Sequence, residues 1–294
     1  MKKLLVFLML LMPAIACWGR STEDDLYKAI MERDLDLLKE VVKNGVNLDI
    51  TYPNLGEKTP LMQACAQDWY QGTEYLLRVG RASSTVKRPE TGETALMFAA
   101  RYCQNDVVVK LLLLTYGANP NAQDAQGKTP LMYAVENRSD SVFSTLIKYG
   151  ANYNAVDLYD NTVLMYCIKE GYVFGVDVLL KESGTINLSQ ENRSGDTILS
   201  LACESGNKQI FQKLVKNNKI DWTEKNSDGE PPLIWMIKNK KSQKLIEILL
   251  RESNLDEEEI LSIRDSKGDA RFWANRKNDK NTLRILNEIE ASIH

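Results

Sequence analysis

The chain has 294 residues, 44% hydrophobic and 26% charged, which is the composition of an ordered protein and more chain than one compact core comfortably holds unless that core is drawn out along a line. A net charge of −3 supplies no basic field for nucleic acid. The single histidine is the last residue, His294, and the cysteines form no close pairs, so the usual zinc ligand sets are missing.

The first residues stand apart. In "MKKLLVFLMLLMPAIAC" two lysines precede an apolar run from Leu4 to Met12, followed by Pro13 and small residues. That is the layout of an export signal, and the run is too short to span a bilayer. Cleavage near Ala16 is expected, giving a signal peptide over 1–16, a short tether over 17–21, a folded stretch over 22–290 and a tail over 291–294. Ala14-Ile15-Ala16-Cys17 resembles the lipobox of bacterial lipoproteins, in which the cysteine is acylated and becomes the new N-terminus. Ala14 stands where that box usually has Leu, and the same residues satisfy the small-x-small rule for ordinary signal cleavage. Lipidation of Cys17 is the leading expectation, with simple export as the alternative; membrane contact is then expected only through that N-terminal anchor.

From residue 22 onward one pattern returns. "KTPLMQACA" begins its run at Thr59, "ETALMFAAR" at Thr94, "KTPLMYAVE" at Thr129, "NTVLMYCIK" at Thr162 and "DTILSLACE" at Thr197, at spacings of 35, 35, 33 and 35. "EPPLIWMIK" puts Pro231 in the same slot, and a worn copy puts Asp24 there. Five residues before the slot stand Asp124, Asp157, Asn192 and Asn226, side chains that start tight turns by bonding their own backbone. Two residues before it stand Gly92, Gly127, Gly195 and Gly229, where a turn needs positive φ. A threonine followed by proline reads as a helix start, with Thr capping exposed amides and Pro where no amide is needed.

"DAQGKTPLMYA" (Asp124 to Ala134), with "YGANPNAQD" and "YGANYNAVD", resembles the ankyrin repeat family, and the phased copies cover about residues 22–290. The resemblance implies an all-α fold, an ankyrin-repeat α-solenoid of stacked helix pairs with short β-hairpin loops, in about seven repeats and a degenerate C-terminal cap. A surface that binds another protein follows from it, with no cofactor. The family's histidine, which bonds between neighbouring repeats, is replaced by Met62, Met97, Met132 and Met165, so cohesion should rest more on packing. Arg81 to Glu90 replaces the usual short hairpin and is expected as an extended finger.

Gly127-Lys128-Thr129 also reads as the tail of a phosphate-binding loop. Ala122 stands where that loop needs glycine, and the repeat explains the same residues many times over, so this is a helix start. Cys65, Cys103, Cys167 and Cys203 are expected as buried free thiols. Phe98, Tyr133, Tyr166 and Trp235, with Leu201, recur four residues after the slot; packing between successive first helices explains this stripe better than an open groove does. Recognition is expected instead from the variable slots at hairpin tips and first-helix turns, which line the concave face: Glu93, Arg101, Tyr102, Gln126, Lys128, Glu136, Asn137, Tyr159, Asn161, Lys169 and Glu170. The terminal stretch from Arg271 on is polar, as a cap with one wet face must be.

These features point to an exported bacterial scaffold or regulator, a monomer that grips a protein of the cell envelope. The alternatives are an inhibitor or immunity protein for a cognate enzyme or toxin, or a host-directed effector. A hydrolase using Glu93, Glu136 and Glu170 is the rival of another class, and nothing in the sequence raises it above background.

Overall fold

The computed structural model describes residues 22–181, 186–226 and 228–293. The expected signal peptide, the tether and Cys17 lie outside them. The chain divides into two compact units, residues 1–151 and 152–294.

In the first unit the helices alternate between two rows. The inner row is α1 (Thr22–Met31), α3 (Pro60–Ala66), α5 (Ala95–Tyr102) and α7 (Pro130–Asn137); the outer row is α2 (Leu35–Lys43), α4 (Tyr70–Arg78), α6 (Val107–Lys110) and α8 (Asp140–Lys148). Each inner helix packs on the next inner helix and on its own outer partner. The second unit repeats the arrangement. Its inner row is α9 (Val163–Lys169), α11 (Ile198–Ser205), α13 (Pro232–Lys238) and α16 (Ala270–Lys277). The outer row is α10 (Val173–Lys181), α12 (Lys208–Val215), α14 (Gln243–Glu252) and α17 (Lys280–Ile293). A further short helix, α15 (Glu257–Ser262), lies against α17, which is helical through residues 291–293, expected as tail. Two residues after each slot a leucine fills the space between rows: Leu61, Leu96, Leu131, Leu164, Leu199 and Leu233 are all buried.

From Asp124 onward the hairpins are closed by their Asx residues. Asp124 Oδ1 accepts the amides of Gln126 and Lys128, both at 2.8 Å, and Asp157 Oδ1 accepts those of Tyr159 and Asn161, also at 2.8 Å. Asn192, Asn226 and Asp265 repeat the bonding. Gly127 takes φ +77° to complete the turn. Pairing between hairpin arms is limited to single bridges, such as Val156 with Thr162, among the described residues.

Capping follows the sequence with one exception. The hydroxyls of Thr59, Thr94, Thr162 and Thr197 accept the amide three residues on. Thr129 Oγ1 is buried without a partner. Methionine also does more than fill volume. The N-cap amides of Thr59 and Thr94 donate to Met62 Sδ at 3.5 Å and Met97 Sδ at 3.3 Å, so the thioether stands in weakly for the glutamate of a capping box. This bond stays within one repeat.

Five of the outer helices begin in one of two ways. Asp34, Ser139 and Asn207, ten residues after the slot, cap α2, α8 and α12 with their side chains. Trp69 and Tyr172 hold the same place ahead of α4 and α10, and Trp69 makes no cap bond. Three residues further on, each faces a glycine, Gly72 or Gly175. A Cβ on Gly72 would lie 2.1 Å from the Trp69 ring, and one on Gly175 would lie 2.5 Å from Tyr172 and 2.7 Å from Cys167 Sγ. Close approach of an aromatic ring thus replaces the polar cap.

One expectation changes here. The segment from Arg81 to Glu90 is not an extended finger: Ala82 and Ser84 are buried, Ser84 Oγ donates to the Tyr116 carbonyl at 2.9 Å, and Arg88 reaches the Gly56 carbonyl at 3.0 Å. The second helix of the third repeat carries two extra residues before Gly117, and it absorbs them in a π-helical turn over Leu111–Thr115.

The thiols of Cys65, Cys103, Cys167 and Cys203 are all free and buried. Burial pushes Cys65 and Cys203 up to about 12, and Cys103 and Cys167 higher still. At pH 8 about one part in ten thousand of Cys65 is thiolate, so iodoacetamide should leave all four unmodified until denaturant opens the fold. Gly175→Ala should lower unfolding stability by about 2 kcal/mol in urea titrations, because the ring of Tyr172 cannot retreat without losing its seat.

Candidate functional site

The eleven candidate residues sort into those that hold the face together and those it displays. In four repeats the residue just before the slot pairs with the one eight positions on, at the far end of the same inner helix. Glu93 Oε1 accepts Arg101 NH1 at 3.0 Å, Glu136 Oε1 accepts Lys128 Nζ at 2.9 Å, and Asn161 Oδ1 accepts Lys169 Nζ at 3.2 Å. Glu230 and Lys238 make the same pair. Links between repeats join the pairs: Arg101 Nε donates to Glu136 Oε2 at 3.2 Å, Lys169 lies 3.8 Å from Asp196, and Lys238 lies 3.7 Å from Asp265.

Arg101 is the centre of this network in the first unit. Its guanidinium lies 3.9 Å from the Tyr133 ring centroid, between the carboxylates of Glu93 and Glu136. Burial works against its charge, but Tyr133, Glu136 and Glu93 outweigh that and hold its pKa above the ordinary guanidinium value. Glu93 is only 6% exposed and also accepts Arg88 NH1 at 3.1 Å and Thr91 Oγ1 at 2.9 Å. Tyr133 donates its hydroxyl to Asp124 Oδ2 at 2.5 Å; burial first, then that carboxylate, push its pKa far above the phenol range. Tyr166 binds Asp157 Oδ2 at 2.8 Å in the same way. The aromatic slot thus braces the hairpin from the helix. Phe98, Tyr133 and Leu201 are buried, and Tyr166 and Trp235 half-buried, which is packing rather than a groove.

Asn137 is also structural. Its Nδ2 donates to the carbonyls of Ala100 at 3.0 Å and Cys103 at 2.6 Å, tying α7 to the last turn of α5. Asn161 accepts Asn192 Nδ2 at 2.9 Å and donates to Asp157. Glu93 and Asn137 are therefore withdrawn from the recognition set. Arg101, Lys128, Glu136, Asn161 and Lys169 reach the surface with their polar groups already partnered. What remains displayed is Tyr102, 45% exposed and stacked at 6.3 Å on Phe98, with Gln126, Glu170 and Tyr159, the last 61% exposed on its hairpin tip.

Sequence reasoning missed Leu158, 52% exposed beside Tyr159, and Arg193, whose Nε donates to Asp160 at 3.1 Å below the same tip. The signal for the tip was an apolar pair, Leu-Tyr, between Asp157 and Asp160, where a hairpin has nothing to bury it. The paired charges could have been found from the eight-residue spacing, because opposite signs recur at those positions.

Glu93 and Glu136, two of the three carboxylates of the expected hydrolytic set, are bracketed by Arg101, Arg88 and Lys128. An ion-pair lattice of this kind fixes carboxylates in place rather than passing protons through them. Among the described residues no group of His, Cys, Asp and Glu is arranged to hold a metal ion.

Paired helices stacked in two rows, with capped hairpins projecting from one end of the inner row, define a repeat scaffold for binding protein. The family model of ankyrin repeats matches in three copies over residues 26–124, 103–192 and 185–260, and the chain belongs to the ankyrin-repeat family. Over 122 residues it is 31% identical to a putative ankyrin repeat protein of Acanthamoeba polyphaga mimivirus, covering 42% of this chain and 15% of that protein. It is 29% identical over 119 residues to an alpha-latrotoxin of Latrodectus geometricus, covering 40% of this chain and 8% of the toxin. Ankyrin repeat and SOCS box protein 11 of Homo sapiens is 32% identical over 114 residues, covering 39% of this chain and 33% of that one. The matched stretches thus span a third or less of these relatives. The crystal structure of the ankyrin repeat domain of Bcl-3, a member of the IkappaB protein family, superposes with a TM-score of 0.65 at 25% identity, covering 79% of this chain and 98% of that domain. Ankyrin-repeat relatives are typically non-enzymatic binding scaffolds.

Arg101→Gln should cost about 2 kcal/mol of unfolding free energy, because it leaves the Glu93 carboxylate buried with one arginine instead of two. Tyr102→Ala should cost under about 0.5 kcal/mol. Urea midpoints of the two variants check the division between holding and displayed residues.

Proposed function

We propose that the chain is an exported bacterial scaffold, anchored through acylated Cys17, that binds a protein partner of the cell envelope through its hairpin tips and inner-helix turns. The observation that carries the binding part is Leu158-Tyr159: two large apolar side chains, 52% and 61% exposed, on a tip whose backbone is clamped by Asp157 and by Arg193 N–H donating to the Tyr159 carbonyl at 2.9 Å. An aromatic held rigid and left bare costs little conformational entropy to dock and loses water when it does. Tyr102 offers a second such anchor in the first unit, beside charges that are already neutralised. The export reading rests on the leader-like run from Leu4 to Met12 and on Cys17 after two small residues and an isoleucine.

Two experiments test the reading separately. Metabolic labelling with a fatty-acid probe should tag the wild type and not Cys17→Ala; equal labelling removes the anchor. Affinity capture from envelope extracts should recover a protein that a Tyr102→Ala/Leu158→Ser/Tyr159→Ala variant loses. Identical recovery by both chains places the binding surface elsewhere.

A further inference from the structure

The last two helix pairs of the second unit enclose an open cleft of about 440 Å³ between the turn joining α13 to α14 and the turn joining α16 to α17. It lies at the ends of the inner helices away from the hairpins, so it is separate from the tips discussed above. Lys240, Lys241, Lys277 and Lys280 line it. Among the described residues none of the four makes an ion pair, and Lys241 Nζ lies 5.1 Å from the Trp235 ring. The one carboxylate in the wall, Asp279, is already engaged: it accepts Thr282 N at 3.0 Å, Thr282 Oγ1 at 2.7 Å and Gln243 Nε2 at 2.7 Å. Lys240 and Asn278 take left-handed backbone angles, φ 49° and 57°, which set the geometry of both turns.

A second lysine-lined cleft in the same unit shows what ordinary packing does with such charges. There Lys181, Lys213, Lys216 and Lys219 converge, and three of the four are paired: Asp177 lies 2.6 Å from Lys213 and 3.7 Å from Lys181, and Glu252 lies 3.2 Å from Lys216. Lys238, one turn from the first cleft, is likewise paired with Glu230 and Asp265. In a chain of net charge −3, four ammonium groups around one cavity repel one another, with only the single carboxylate of Asp279 in the wall to offset them.

We propose that this cleft binds a phosphate-bearing anion. Lysine presents a compact point charge with rotatable donors, which suits a multiply charged, near-spherical oxyanion; a planar carboxylate is better held by the fork of arginine, which the cleft lacks. A free phosphate and a phospholipid headgroup share that chemistry.

The test uses the full chain at low ionic strength, with two probes. Inorganic pyrophosphate is titrated by calorimetry, and vesicles of phosphatidylcholine with phosphatidylglycerol are compared by sedimentation with vesicles of phosphatidylcholine alone, so that binding by the apolar N-terminus cancels. Saturable heat identifies a soluble phosphate, and excess sedimentation with the anionic vesicles identifies a headgroup. Either should weaken more than about tenfold in Lys240→Glu/Lys280→Glu, and less, in the same direction, in Lys240→Gln/Lys280→Gln. Lys39→Glu/Lys43→Glu, with the same change of net charge in the first unit, should leave it unaltered. No binding of either probe, binding that the cleft variants leave unchanged, or an equal loss in the control pair overturns the proposal.

Discussion

From the fourth repeat onward, each repeat depends on one oxygen. The Oδ1 atom of the hairpin Asx residue accepts two backbone amides, two and four residues on in most copies, and so closes the turn that delivers the chain to the next inner helix. Where that oxygen belongs to a carboxylate, each such bond is worth about 1.5–3 kcal/mol, and the closed turn also places the capping threonine. The spacing from Asx to cap is therefore held at five residues from Asp124 to Thr129, Asp157 to Thr162 and Asn192 to Thr197, while the repeat around it varies in length. The other carboxylate oxygen is used as well. Tyr133 and Tyr166 reach it from the helix, so the turn is braced against the element it introduces.

On this frame a polar lattice forms along the inner helices of each unit. Alternating charges before the slot and one helix length later neutralise each other within a repeat and link to the next repeat. Such partly exposed pairs add modest stability individually. Their larger effect is to immobilise long side chains in advance, so that a partner meets a surface already ordered. The aromatic residues differ from the charges beside them in what they leave uncovered: Tyr102, despite its stack on Phe98, is 45% exposed and Tyr159 61%, against 6% for Glu93.

The architecture was legible because it rests on local chemistry repeated in phase: Asx turn, positive-φ glycine, capping threonine and buried leucine each leave a mark at a fixed position. The site was less so. Glu93 and Asn137 occupy slots that vary between repeats, and variability resembles recognition in a single sequence; only their bonds to Arg88, Arg101 and the Ala100 and Cys103 carbonyls reveal a holding role. The packing of Arg81 to Glu90 was hidden for a related reason. Its anchors, the carbonyls of Tyr116 and Gly56, are backbone atoms and carry no side-chain signature. The methionine sulfurs that receive N-cap amides were missed because a thioether seldom takes that part.

The π-helical turn over Leu111–Thr115 shows where length can drift in such a chain. Two surplus residues are swallowed by looser winding of an outer helix, with Leu114 turned to solvent, and the hairpin that follows still closes on Asp124 with unaltered bonds. Insertions and deletions in the outer row are thus insulated from the display surface. A lineage of such proteins can tinker with the back of the molecule, residue by residue, while the hairpin tips keep their positions.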